Sequence, residues 1–216
     1  MRKRWWVALF VAELLGAGEA QPSSAERPWG FDASGGVSTY ALGAVNDSLR
    51  SLDQSVGTNF GSIDGGSSFG AALRFWATED LLLRFAAEKN SAVATDADRR
   101  FDIGTIDATL GAIYYLPTRS PLRFGGGVAA GVAWIRGRLE GSQLSFDTRG
   151  SGPDLRATIE ALWRHDSGWF LSGSAGYRYA VVPEVRFTGE GSGMRADFSG
   201  GVLRLAAGYD ERADSR

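Results

Sequence analysis

The sequence contains no cysteine, one histidine, two lysines and six prolines in 216 residues. The missing cysteine excludes disulfides, thiolate metal sites and a lipidated N-terminal cysteine. Lysine occurs only as Lys3 and Lys89, so positive charge rests on arginine; this reads mainly as genome composition, although arginine's planar fork also suits confined ion pairs with several partners. Formal net charge is −2 and the isoelectric point about 5.5, which argues against a nucleic-acid partner through bulk electrostatics. Long apolar runs are also missing. The longest, Trp5 to Leu15, is well short of the roughly 20 residues that span a bilayer as a helix.

That run belongs to a secretory signal peptide predicted over residues 1–20. Arg2, Lys3 and Arg4 form its basic start, and Gly18-Glu19-Ala20 a small-x-small cleavage site before Gln21. A polar, proline-bearing periplasmic leader follows over 21–28.

Glycine is abundant, with 30 residues spread through apolar stretches instead of gathered in a linker, a distribution that points to curved sheet. From Trp29 onward the chain alternates with a period of two, the strand signal. The clearest case is Leu155 to Tyr179. Leu155, Ala157, Ile159, Ala161 and Trp163 oppose Arg156, Thr158, Glu160 and Arg164, and after His165-Asp166-Ser167-Gly168 the residues Trp169, Leu171, Gly173, Ala175, Tyr177 and Tyr179 oppose Ser172, Ser174, Gly176 and Arg178. Two such runs joined by a short polar turn ending in glycine form a hairpin. Their apolar face toward lipid and polar face toward an interior match a membrane barrel.

Eight strands follow from this pattern, an even number that closes without a free edge. Short connections at 78–80, 116–121 and 165–168 alternate with long ones at 41–67, 91–100, 137–153 and 181–197. In outer-membrane barrels the short turns face the periplasm, so both termini are expected there. Aromatics gather at two levels. Trp29, Phe31, Phe75, Phe85, Tyr114, Phe124, Trp163, Trp169 and Tyr209 lie near the short turns, and Tyr40, Phe69, Phe101, Trp134, Tyr177, Tyr179 and Phe198 near the long loops. Two girdles at the membrane interfaces are expected from these sets. Phe198 has the wrong parity for the outer face of the last strand, and a bulge at Gly200-Gly201 is predicted to adjust it.

The inner face carries Asp32, Arg74, Arg84, Glu88, Asp107, Arg123, Arg156, Glu160, Arg164, Arg178 and Arg204. An eight-stranded barrel is just wide enough for side chains to fill, so these charges are read as a structural network; Arg84–Asp107 and Arg204–Asp32 are the expected cross-strand pairs. In the first long connection Val45, Leu49, Leu52 and Val56 recur at helical spacing, with Asn46, Asp47 and Asp53 opposite. A short amphipathic helix is expected there: a lid, or, in preference to that, a partner-binding element or self-packed loop filler.

The signal peptide, Phe69-Gly70-Ala71-Ala72-Leu73-Arg74-Phe75-Trp76, Pro121-Leu122-Arg123-Phe124-Gly125-Gly126-Gly127, Gly176-Tyr177-Arg178-Tyr179 and Asp197-Phe198-Ser199-Gly200 together resemble the small outer-membrane barrels of the OmpX-like, OmpW-like and opacity-type group. The resemblance covers the mature chain. It implies an all-β, closed eight-stranded antiparallel up-and-down transmembrane β-barrel over 29–209, without cofactor or metal. It also implies contact with outer-membrane lipid, lipopolysaccharide and the barrel-assembly machinery. Such proteins usually end on an aromatic residue, whereas here Tyr209 precedes a charged tail, 210–216.

The expected function is non-enzymatic: a structural or surface-interaction protein whose long loops meet an extracellular partner. The alternatives are a narrow channel or small-solute transporter, a lipid-modifying enzyme, and a soluble lipocalin-like binder. The enzyme reading rests on His165-x-Ser167, similar to the His-x-Ser of lipid A deacylases, with Glu160 near in sequence. Its position in a short turn favours plain turn chemistry.

Overall fold

The computed structural model describes residues 29–56, 61–96, 99–140, 145–187 and 190–211. The expected signal peptide, the leader and the tail beyond Glu211 lie outside them. The elements are β1 (Trp29–Thr39), α1 (Gly43–Val56), β2 (Gly65–Trp76), β3 (Leu81–Asp96), β4 (Arg99–Tyr115), β5 (Leu122–Glu140), β6 (Ser145–Arg164), β7 (Trp169–Phe187), β8 (Glu190–Asp197) and β9 (Gly200–Asp210). Each strand from β1 to β7 pairs antiparallel with the next in sequence. The β1–β9 and β7–β9 ladders close the sheet on itself. β8 and β9 are two segments of one strand, since β7 pairs with both in unbroken register from Val181↔Asp197 to Arg178↔Gly200. The result is the closed eight-stranded up-and-down barrel, with every ladder paired.

The expected bulge at Gly200-Gly201 is absent. Phe198 has inward parity, is buried, and packs edge-on against Tyr40 with ring centroids 5.5 Å apart. Irregularity falls instead on β7, which carries one residue more than β6 between the Arg149↔Arg186 and Asp154↔Ala180 pairs. Consecutive Val181 and Val182 are both buried there, as an inserted residue at a bulge requires.

Three of the expected long loops are strand. β3 and β4 run through most of 91–100, β5 and β6 through most of 137–153, and β7 and β8 through most of 181–197. The reason is a reversal of polarity along each strand. In the lower part apolar residues face out, with Leu205 74 % exposed and Ile159 69 %, and charges face in. Above Trp134 the sides exchange. Ala92, Ala94, Phe101, Ile103, Ile135 and Val182 are buried inside, while Arg100, Arg136, Arg138 and Arg149 are exposed. A single in–out rule ends each strand where the rule inverts, although the backbone ladder continues.

Candidate functional site: the filled barrel interior

The interior is occupied at three levels. At the short-turn end Leu82, Ile113, Tyr115, Leu162 and Phe170 form a buried cluster with Trp76 against it. Arginines stack on these rings. The Arg74 guanidinium lies 3.9 Å from the Phe170 centroid and that of Arg164 lies 4.1 Å from Trp76, while Arg123 lies over Tyr115 and Trp76. Such cation–π contacts suit a desolvated site. Asp210 sits among them: Arg164 Nη2 donates to its Oδ2 at 2.7 Å, Trp76 Nε1 at 3.1 Å, and Arg74 Nε stands 3.0 Å from Oδ1. The residue expected to begin the charged tail is therefore the last residue of β9 and part of the interior.

The middle level is a lattice of charge. Arg156 donates to Glu88 at 2.7 Å, to Asp107 at 2.7 Å and to Asp154 at 2.8 Å. Arg178 reaches Asp107 at 2.9 Å, Asp154 at 3.2 Å and the Thr105 hydroxyl at 3.0 Å. Arg204 pairs with Glu88. Asn90 Nδ2 donates to Asp107 at 2.6 Å. Arg84 grips Asp32 with two bonds, 2.7 and 3.1 Å. Tyr115 donates to Glu160 at 2.6 Å. Six arginines, 74, 84, 156, 164, 178 and 204, thus face six carboxylates, 32, 88, 107, 154, 160 and 210. Among these described side chains the two signs are balanced.

The expected pairs are corrected by the register. Glu88 stands directly opposite Asp107, Arg74 opposite Arg84, and Arg156 opposite Arg178. Directly opposite neighbours in the wall carry like charge, and the counter-charge comes from a more distant strand, as Glu88 for Arg156 and Arg204, or from a diagonal position in the wall, as Asp154 for Arg156 and Arg178. Arg84 accordingly takes Asp32, not Asp107, and Arg204 takes Glu88, not Asp32. Arg123, at the start of β5, is the outlier of the expected set, since its polar partners are Asp80 and the Glu79 carbonyl, at 2.7 Å, in the β2–β3 turn. Asp154, Asp210, Tyr115, Asn90 and Thr105 are interior members absent from the expected set. All carry the inward parity of their strands, but the first three lie at or beyond the ends assigned to those strands.

The upper level is apolar. Leu42, Val45 and Leu49 of the α1 region and Ile63 join Tyr40, Phe101, Ile103, Ile135, Val182, Val185 and Phe198 in one buried cluster. The helix is therefore a stopper in the upper mouth, the least favoured of the three roles weighed for it. The side chains of Leu52, Asp53 and Val56 lie outside the described residues. Asn46, expected on the polar side, is buried and latches the helix by exchanging two bonds with the backbone of Ile63, 2.9 and 3.2 Å. Tyr40, Phe101 and Phe198, grouped above with the upper girdle, belong to this cluster instead.

The remaining girdle residues face outward. Trp29, Phe85, Tyr114, Trp163 and Trp169 are exposed at the lower end, where Phe75 and Tyr209 are partly so; Phe69, Trp134, Tyr177 and Tyr179 are exposed at the upper end. A cavity of about 1080 Å³ lies on this outer wall. Its lining includes Val37, Phe124, Ile159, Leu203 and Leu205 and small residues such as Gly173.

His165 and Glu160 are not brought together. Glu160 is interior, whereas His165 is exposed in the β6–β7 turn. His165 Nδ1 lies 2.7 Å from Ser167 Oγ and accepts from the Ser167 amide at 3.2 Å. The Gly168 amide donates to the His165 carbonyl at 3.1 Å, and Gly168 takes φ 90°. These contacts close a tight turn with glycine in the left-handed region.

Closure, outward apolar belt and filled lumen define a small closed β-barrel of the outer-membrane type. No protein-family profile and no curated protein matches the sequence. Among solved structures the chain is similar to the outer membrane protein OprG from Pseudomonas aeruginosa, at 14% identity and TM-score 0.55, over 88% of this chain and 99% of that one. It is also similar to Neisserial surface protein A, at 15% identity and TM-score 0.52, over 84% and 96%. A major outer membrane protein from Thermus thermophilus aligns at 12% identity and TM-score 0.53, over 84% and 99%. At these identities the likeness is one of fold.

Proposed function

We propose that the chain is an integral outer-membrane protein, closed to solutes, that acts as a structural or surface-interaction element through the hairpins above its upper girdle. The observation that carries this reading is the balanced lattice of six arginines and six carboxylates, stoppered by aromatic rings below and by α1 above. Embedding follows from the belt: exposed Phe31, Leu73, Leu110, Val128, Ile159 and Leu205 ring a surface far more apolar than a water-exposed protein tolerates. The short turns then face the periplasm and α1 the exterior, with both termini periplasmic.

Planar-bilayer recording on the refolded protein tests this. The expected result is a silent bilayer, and discrete, reproducible openings would favour the narrow-channel alternative instead. The proposed role is non-enzymatic; what supports it is that His165 and Ser167 are exposed in the turn while Glu160 points into the interior. Acyl-chain release from lipopolysaccharide that depends on Ser167 would overturn that part.

A further inference from the structure

Between the charge lattice and the apolar stopper lies a level whose polar atoms are left over. Ser38 Oγ, Tyr40 Oη, Ser68 Oγ, Asn90 Oδ1 and one terminal nitrogen of Arg178, Nη1, make no hydrogen bond within the protein. All five side chains are buried, Tyr40 being 7 % exposed and Ser68, Asn90 and Arg178 only 1 %. Buried polar groups nearly always have a partner, so a group of them at one height calls for one.

Register brings them together. Gly36, Ser68, Asn90 and Thr105 stand directly opposite one another along β1 to β4, and Arg178 reaches the Thr105 hydroxyl from β7 at 3.0 Å. Ser38 is the next inward residue above Gly36 on β1. The Tyr40 hydroxyl faces Ser38 without the geometry of a hydrogen bond, and the charges of Arg178 and Asp107 act on it from the lattice below. The wall is bare at the same level: Gly36 beside Ser68, Gly200 beside Arg178, and Gly176, which shares Val202 as a neighbour with Ser38, have no side chain to offer.

The chemistry of the five atoms selects the guest. Arg178 Nη1 only donates. Asn90 Oδ1 only accepts, and the amide nitrogen of the same side chain is committed to Asp107 at 2.6 Å. The three hydroxyls do either. A guest must therefore accept and donate at once, which a halide or a metal ion cannot do. The lattice beneath is balanced in sign among the described side chains, which favours a neutral guest. A buried water makes roughly three hydrogen bonds, so five such atoms suit about two waters bonded to each other. We infer that this level is a built hydration site, in which ordered water joins Arg178 and Asn90 to the Ser38, Tyr40 and Ser68 hydroxyls and is sealed from the exterior by α1. Leu42, Val45 and Leu49 pack with Tyr40 in the cluster above, so exchange of this water waits on the stopper. The site needs only the closed barrel and its cap, whatever the barrel does in the membrane.

Two measurements on the full chain refolded in detergent micelles test it. In the wild type, nuclear Overhauser cross-peaks from water to the Tyr40 ring and to the Asn90 side chain are expected. Their absence overturns the inference, and so does their loss on adding chloride, which would make the guest an anion. Magnetic relaxation dispersion of labelled water then counts the long-lived molecules. S38V/S68V fills the level with methyl groups and is expected to lose about two of them, while S167A in the exposed turn keeps them all. Equal counts in S38V/S68V and the wild type overturn the site. S38A/S68A, which adds no volume, repeats the comparison if the larger side chains prevent refolding: unchanged cross-peaks and unchanged exchange there count against the site equally. L49A loosens the stopper and is expected to keep the waters but shorten their residence by about tenfold or more. An unchanged residence time in L49A overturns the seal.

Discussion

Arg156 on β6 and Glu88 on β3 meet at 2.7 Å although their strands are not neighbours and 68 residues separate them. The bond crosses the lumen, and Arg204 holds the same carboxylate from β9. Glu88→Leu therefore leaves Arg204 buried without its partner and removes one anchor of Arg156. Breaking a buried pair from one side costs about 3–5 kcal/mol, and urea unfolding in micelles is expected to show a loss of that size. The neutral double variant E88M/R204M recovers much of it, because no charge is then stranded.

Pairing across the lumen is separable from pairing along the wall. A double-mutant cycle on Asp32→Asn and Arg84→Gln, whose side chains share two bonds, is expected to give a coupling of about 1–3 kcal/mol. The cycle on Arg84 and Asp107 gives less than about 0.5 kcal/mol.

Asp210 ends β9 against Arg74, Arg164 and Trp76. Asp210→Leu is expected to cost about 3–5 kcal/mol by leaving two buried cations short of a partner. Glu211→Gln, at an exposed neighbour, stays within about 0.5 kcal/mol. Heat-modifiable migration on gels ranks the two. Equal effects would place Asp210 outside the barrel.

α1 is held by a few apolar anchors. Leu49→Ala removes a buried side chain from the upper cluster and is expected to cost about 2–5 kcal/mol of docking. Limited proteolysis should then cut within residues 43–64 while the barrel below stays resistant. A variant as resistant as the wild type would show that the stopper does not depend on this contact.

The β6–β7 turn separates chemistry from geometry. Ser167→Ala touches only the local contact with His165 and is expected to change stability by less than about 0.5 kcal/mol. Gly168→Ala forces a side chain into φ 90° and places its Cβ 2.7 Å from the Tyr209 ring and 2.8 Å from the Asp210 carbonyl. Left-handed backbone alone costs about 1–2 kcal/mol, and the clash adds to it. Thermal unfolding of the two variants reads the contrast.

The sequence alone determined the barrel, because a period of two is a local property of neighbouring residues. Leu155 to Trp163 outward and Arg156 to Arg164 inward need no tertiary information, and neither does the tight turn at His165–Gly168. Parity likewise made the charges from Asp32 to Arg204 legible as one inner face. Which charge meets which was decided only by closure. Register set Glu88 beside Asp107 and Arg156 beside Arg178, so Glu88 and Asp107 meet their counter-charges on β6, β7 and β9, non-neighbouring strands whose approach local pattern does not encode. Strand length was decided by the same closure. Phe101, Ile103 and Val182 invert the in–out rule because beyond the upper girdle the outside of the wall carries arginine and the inside is packed by α1. A residue's burial there follows from what caps the barrel, and the cap comes from a segment many residues away in the chain.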